Sequence, residues 1–513
     1  MSMWLRGAQL RGLERAFRKR VECPVPTQVV SSGECLPPAQ TRRQAQVEWL
    51  MQHDADHHAR RQGIARGRYL RSQSGMAAAF VAMNRVYGEL YDVAPVEAAD
   101  PDAAEARRDA VRGQFIFDVH THHVHDDYRW EGQLWLRAAA RGDLFGDTPW
   151  NPELVGQELD LKYYKFDHYL KDMFFDSDTT LALLSTSPSV DPHKMLLSDD
   201  QMVATRNLVN RLAGTRRMFA HGVIWPSVPQ YLPAMDRAAR ELKVDAWKGY
   251  TMGDVLGVSP TFDHPWRMDD EDLAYPSYEK AQRHGVRNIC VHKGVLPADY
   301  ERIPTWRYAT VEDVGSAARD WPKLNFHIYH AALRMWRDLP PVVAEFEDTG
   351  RLPWIDELAE IPERYGVTNV YADVGLSFGA LAVSEPRLAA AMLGKLIKGL
   401  GADHVLWGTD SIWFGSPQWQ IEALRRIEIP ADLQDRHGFE PLGPADGPVK
   451  SAIFGANAAG QYGIDLDAAG RPLTDYAGDD LSRLKEEYLA AGHQRDNLFW
   501  GWIRTANPQE TGR

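Results

Sequence analysis

The sequence predicts an α/β fold: a (β/α)8 TIM barrel with a helical N-terminal arm and a C-terminal helical extension. Three observations carry that expectation. From Phe115 onward, short apolar, β-branched or aromatic runs alternate with amphipathic stretches, the pattern of parallel strands joined by helices. The runs number eight, which is the barrel count. Five of them end in His, Lys or Asp, and barrel enzymes place their chemistry at the C-terminal ends of strands.

In chain order, residues 1–112 read as a partly helical arm. It has a basic start, an irregular stretch from Cys23 to Pro38, and helical patterning over Gln44–Arg71 and Met76–Tyr91. The acidic, Ala-rich segment Val96–Arg108 reads as a linker. The barrel spans 113–465, with strands expected at Phe115–His122, Thr180–Ser185, Met218–Ile224, Val244–Tyr250, Ile289–His292, Leu324–His330, Asn369–Val374 and Val405–Asp410. The long interval Asp127–Asp176, rich in Tyr and Trp, is expected over the barrel mouth. Residues 466–513 form the extension, with a helix near Asp480–Ala491 and a packing cluster at Phe499-Trp500-Gly501-Trp502.

Composition narrows the function. An apolar fraction of 44% and a charged fraction of 25% are ordinary globular values. A net charge of -13 repels phosphate backbones, so no nucleic-acid partner is expected and a small-molecule substrate is. No apolar run can span a bilayer; Gly75–Met83 is far too short, so no integral membrane segment is expected. Three cysteines, Cys23, Cys35 and Cys290, make no disulfide scaffold, and free thiols are favoured over a Cys23–Cys35 bridge. A cytoplasmic protein is expected. Arg66-Gly67-Arg68 ahead of Gly75–Met83 looks like a degraded twin-arginine signal, which if functional would place the chain in the periplasm. The alternative is a packing helix. An arm of this length needs a surface, which points to a homo-oligomer, a dimer in the simplest case.

The chemistry is expected to start at Asp118-Val119-His120-Thr121-His122. Alternation in a strand would point Asp118, His120 and His122 to one side, with Phe117, Val119 and Thr121 toward the covering helices. Two imidazoles at this spacing chelate a divalent ion, and a carboxylate can hold an imidazole N–H behind them. With 18 histidines, roughly 0.6 His-x-His pairs arise by chance, so context must decide. That context is Lys248, His292, His330 and Asp410 at later strand ends. One or two divalent ions, Zn, Mn or Fe, fit such a set. His327 lies three residues before His330 and reads as a core or flanking histidine. His123 and His125 read as flanking or surface groups. Lys293, Arg129, Arg307 and Trp407 are candidate substrate-binding residues.

These pieces resemble the amidohydrolase superfamily, in the amidohydrolase-related branch that includes aminocarboxymuconate semialdehyde decarboxylase-like enzymes. The matching motifs are Phe117-Asp118-Val119-His120-Thr121-His122, Val291-His292-Lys293-Gly294, Tyr329-His330-Ala331-Ala332, Val370-Tyr371-Ala372-Asp373, Leu406-Trp407-Gly408-Thr409-Asp410 and Ile453-Phe454-Gly455-Ala456-Asn457-Ala458-Ala459, over about residues 115 to 465. The resemblance implies His120, His122, His292 and Asp410 as metal ligands. It implies that His330 positions or deprotonates a bound water, with a second ion as another use, and that Lys248 is a possible carboxylated bridge. Asp410 and His330 would be catalytic. Ala331 stands where the family commonly has glycine, and Ser411-Ile412-Trp413 lacks the usual proline. The first expectation is hydrolysis of an amide, ester or lactone-like substrate by metal-activated water. Decarboxylation of an aromatic or unsaturated acid and non-haem di-iron oxygenation are the alternatives.

Overall fold

The computed structural model describes residues 13–15, 23–28, 37–128, 134–142, 149, 155–156, 161–256, 262–297, 300–335, 339–491 and 503–505. Eight strands form the barrel: β1 Phe117–Thr121, β2 Leu181–Leu184, β3 Met218–Val223, β4 Ala246–Tyr250, β5 Asn288–His292, β6 Asn325–Tyr329, β7 Val370–Asp373 and β8 Val405–Leu406. Sequence neighbours are sheet neighbours, and every pair is parallel. The sheet closes where Val119 N donates to Trp407 O at 2.9 Å and Asp410 N donates to His120 O at 2.9 Å. A bridge between Thr121 and Ser411 extends the seam beyond β8.

Alternation along the strands separates two cores. Phe117, Leu181, Leu183, Phe219, Cys290, Tyr329, Tyr371 and Leu406 cluster inside, with Ala458 and Tyr462 of the helix Asn457–Tyr462. That helix plugs the end where strands begin, since Gln461 accepts from Asn288 and Asn325 at the first residues of β5 and β6. The alternate residues Ala182, Ala220, Trp247, Val291, Ile328 and Ala372 belong to the larger core against the helices. Phe117 and Val119 correct the expectation: both sit in the inner cluster. Pairing between β1 and β2 slips between Asp118 and Thr121, so strict two-residue alternation fails inside the motif itself.

Glycine and proline set the arm. The helix Arg42–Gln62 starts with a Thr41/Gln44 capping box and stops at Gly63, whose φ of 66° is left-handed, so the patterned stretch Gln44–Arg71 is two helices. Gly75–Met83 is buried within the helix Gln73–Tyr87, as a packing helix requires. The expected linker is instead helical, Pro95–Ala99 and Pro101–Ala110. Each begins with proline, which costs no helical bond there, and Asp100 caps the second. Arg426 on the barrel meets Glu97 of the arm at 2.8 Å, both side chains buried. The extension is anchored by Asp479, which accepts from Arg217 at 2.6 and 2.9 Å. The cluster Phe499–Trp502 lies outside the described residues. No helix among the described residues is long and apolar enough to cross a membrane.

Candidate metal centre

His120 and His122 emerge at the end of β1 and Asp410 from the loop after β8, and the seam between the strands makes them neighbours. His120 Nε2 lies 3.1 Å from His122 Nε2. Asp410 Oδ1 is 3.4 Å from the first and 3.2 Å from the second. Among the described residues these three form a group whose ligand atoms all fall within 4.8 Å.

The outer nitrogens fix what the inner ones can do. His120 Nδ1 faces Asp373 Oδ2 at 2.8 Å, and His122 Nδ1 faces the carbonyl of Ser185 at 3.1 Å. The carbonyl can only accept, and Asp373 does the same in its ionised form, which burial opposes and the Gly375 N–H supports, so each Nδ1 carries the proton and each Nε2 presents a lone pair. Burial, the largest cause, holds both imidazoles below their ordinary pKa and therefore neutral; Lys248 adds to this at His120, while Asp410 opposes it at His122. Two lone pairs and a carboxylate oxygen then converge with no proton among them. That arrangement repels itself unless a cation sits between them, so the residues fit a divalent ion.

The sequence assigns no role to Asp373, although Val370-Tyr371-Ala372-Asp373 is among the family-like motifs. It is fully buried at the end of β7 and holds His120 from behind, while its other oxygen accepts from Gly375 N at 3.0 Å. The place expected for Asp118 is thus taken by Asp373. Asp118 instead accepts from Thr409 N at 3.1 Å, Thr409 Oγ1 at 2.5 Å and His120 N at 3.1 Å, which braces the seam. Room for Asp373 depends on Gly408: a Cβ there would lie 2.1 Å from Asp373 Oδ1 and 2.8 Å from His120 Cβ. The inward position of residue 373, two beyond Tyr371 on the inner face, was the signal available in the sequence.

Further residues gather around the triad. Lys248 Nζ is 3.4 Å from His120 Nε2 and 3.7 Å from the Tyr329 ring centre, and burial lowers its pKa to about 7. His330 lies 4.9 Å from His120 and 4.7 Å from His292 between ring centres. Its Nδ1 is buried without a hydrogen-bond partner among the described residues. His330, Ala331 and Ala332 all have positive φ, 63°, 47° and 53°, so the turn that delivers His330 is one glycine would adopt without cost, and Ala331 occupies its centre. His292 stacks on Tyr250 at 4.5 Å, and half-buried Trp413 lies 5.7 Å from His122 and 5.0 Å from Tyr164.

Other candidates fall elsewhere. Trp407 faces the helices against Phe378 and Phe454, in the parity of Val405 rather than of inward Leu406, so it does not reach the cleft. Lys293 is fully buried and committed to Asp313 at 2.8 and 3.0 Å and to Tyr308 O, which leaves it no reach toward a substrate. Arg307 is exposed with its guanidinium 4.6 Å from the Trp306 ring centre. Arg129 lies outside the described residues. His123 turns to Thr205 Oγ1 at 3.1 Å and away from the triad, as expected. His125 packs edge-on against Tyr128. His327 sits in the barrel interior 3.7 Å from Cys290 Sγ, with burial lowering its pKa to about 3, a neutral core histidine.

Comparison with known proteins adds to this geometry. No curated protein matches the chain. Among solved structures, 5-carboxyvanillate decarboxylase from Sphingomonas paucimobilis is similar at 17% identity, with a TM-score of 0.36 over 69% of this chain and 100% of that one. 2,6-Dihydroxybenzoate decarboxylase from Rhizobium is similar at 15% identity and a TM-score of 0.38, over 68% and 99%. A dihydroxybenzoic acid decarboxylase from Polaromonas, with bound manganese and an inhibitor, is similar at 16% identity and 0.36, over 69% and 99%. The amidohydrolase family model matches residues 117–464, from the first residue of β1 to just past the helix that plugs the barrel. With the triad standing at the mouth of that same stretch, the chain belongs to the amidohydrolase family.

Proposed function

We propose that this chain is a metal-dependent decarboxylase acting on an aromatic or unsaturated carboxylic acid. The observation that carries the reading is the charge of the triad. Two neutral imidazoles and one carboxylate place a single negative charge in direct contact with a divalent ion, Asp373 lying behind His120, so the ligand shell itself is left with one unit of positive surplus. A carboxylate substrate neutralises that surplus; a neutral amide or ester does not. Lys248 Nζ, 3.4 Å from His120 Nε2, stands beside the same ligands. The aromatic faces beside the ligands, Trp413 at His122 and Tyr250 at His292, suit a flat unsaturated body. Hydrolysis uses the same ligands, and it is the runner-up reading.

When bound, the ion acts as a Lewis acid on a substrate oxygen and lowers the pKa of water beside it. His120, His122 and Asp410 would hold it, with His292 as a further ligand from β5. Lys248 and the ion would bind the anionic substrate. The bond between ring or alkene carbon and carboxylate breaks, the electron pair stays on carbon, and CO2 leaves. A proton drawn from solvent must then reach that carbon. Asp410, which at 8% exposure is the most open of the three ligands, is placed to carry it, and His330, 4.9 Å from His120 between ring centres, would orient the acid. Asp373 keeps His120 in the tautomer that presents its lone pair.

The test is substrate turnover over a panel of hydroxybenzoates and unsaturated acids, with CO2 followed directly and lactones and amides run in parallel. CO2 release that stops with a chelator and in Asp410→Asn, while Asp410→Asn keeps its fold, supports decarboxylation. Chelator-sensitive hydrolysis without CO2 release establishes the runner-up instead, and oxygen consumption by protein holding two irons would displace both.

A further inference from the structure

A cavity of about 770 Å³ lies at the opposite end of the barrel from the triad. It is lined by Gln114 and Phe115 ahead of β1, Asp178 to Thr180 ahead of β2 and Arg217 ahead of β3, all on the side where strands begin. The arm closes one side and the extension the other.

Its charge runs against that of the chain. The protein carries -13 overall, yet eight arginines and lysines line this cavity against three acids. Two of the eight hold the floor: Arg217 is bound to Asp479 and Arg425 to Asp178 and Glu422, with all four distances at or below 2.9 Å. These buried pairs are structural and are set aside. The rim is different. Arg68 is exposed and pairs with no carboxylate among the described residues, and Arg112, with its side chain 76% exposed, touches Asp109 only at 3.6 Å. Arg108 and Arg471 join them, Arg108 paired with Glu105 and Asp109 and Arg471 with Asp467, all in partly or largely exposed pairs that an incoming anion can replace at little cost.

The wall behind this rim is apolar. Phe115, Phe174 and Leu481 are buried against the cavity, and Leu473 is 68% exposed at its edge. A guanidinium rim over an apolar wall selects a molecule with an anionic head and an apolar body. Arginine forks match the geometry of phosphate oxygens.

We propose that this cavity is a second binding site, remote from the metal centre, that takes an organic phosphate with an aromatic or aliphatic body. The site is independent of which reaction the metal centre performs.

The experiment is calorimetric titration of the full chain with phenyl phosphate, inorganic phosphate and benzyl alcohol, repeated in Arg68→Glu/Arg112→Glu and in Asp410→Asn. Both arginines are exposed, so the double variant is expected to melt like wild type. The proposal expects phenyl phosphate to bind more tightly than either fragment, to weaken as salt rises, to lose about tenfold or more in affinity in the double variant, and to bind unchanged in Asp410→Asn. Equal binding in the double variant, loss of binding in Asp410→Asn, or no saturable binding of phenyl phosphate at millimolar concentration would overturn it. Should the double variant lose its fold, Arg68→Gln and Arg112→Gln singly carry the same comparison, each expected to weaken binding.

Discussion

Replacing Asp373 with asparagine tests how the site is held together, and the structure gives the outcome in detail. Asp373 offers two oxygens, Oδ1 to Gly375 N at 3.0 Å and Oδ2 to His120 Nδ1 at 2.8 Å, and the side chain has no exposure. In Asp373→Asn the amide must keep its oxygen on the Gly375 N–H, so its NH2 turns to His120 Nδ1. That nitrogen must then accept, and the proton moves to Nε2, where the ion would bind. Losing such a partner behind a ligating histidine lowers metal affinity by about 10 to 100-fold, or about 1.4 to 2.7 kcal/mol. The size and shape of the side chain are unchanged, so the fold survives. The assay is competition for zinc or manganese against a chromophoric chelator, with a thermal melt of the metal-free protein as control. Wild-type metal affinity in a folded Asp373→Asn variant would refute the reasoning.

Gly408 and Asp479 carry two further predictions. Gly408→Ala forces a methyl to within 2.1 Å of Asp373 Oδ1, so we expect about 1 to 3 kcal/mol of destabilisation or more, seen as an earlier urea midpoint, together with weakened metal binding; a variant that melts and binds like wild type would contradict this. For Asp479, burial alone raises the carboxyl pKa, but hydrogen bonds from Arg217 and Thr215 outweigh it and hold the folded value below the unfolded one. Its contribution is therefore full above an unfolded pKa of about 3.9 and is lost as pH falls through the lower folded value. Asp479→Asn should cost about 1.5 to 3 kcal/mol in urea melts at pH 7, with the gap to wild type closing in strongly acid solution; a gap independent of pH would count against the pairing.

The barrel could be read from the sequence because its eight strands are apolar runs with titratable ends, and each expected run overlaps an observed strand. The triad could be read for the same reason. What escaped was parity. Trp407 and Lys293 sit one residue from inward-facing neighbours, so a strand-end position placed them near the cleft while the two-residue period turns them to the outer side. Asp313, which takes up Lys293, lies 20 residues downstream in a non-strand segment, and nothing local announces the pairing. At β1 the period failed in the other direction: the slip after Asp118 lets Val119 and His120 both stay within the barrel, a tertiary effect of closing β1 against β8. Val96–Arg108 reads as a linker yet is helical, because its acidic, Ala-rich composition suits either state and the two prolines that start its helices look like breakers when read alone.

The central claim is that lone pairs of His120 and His122 and the Asp410 carboxylate converge to hold a divalent ion. It is tested most directly by metal content after reconstitution and gel filtration, compared between wild type and His122→Ala. The account predicts at least about one tightly held ion per chain in wild type and none in folded His122→Ala. Equal metal content in the two proteins, or none in reconstituted wild type, would contradict it.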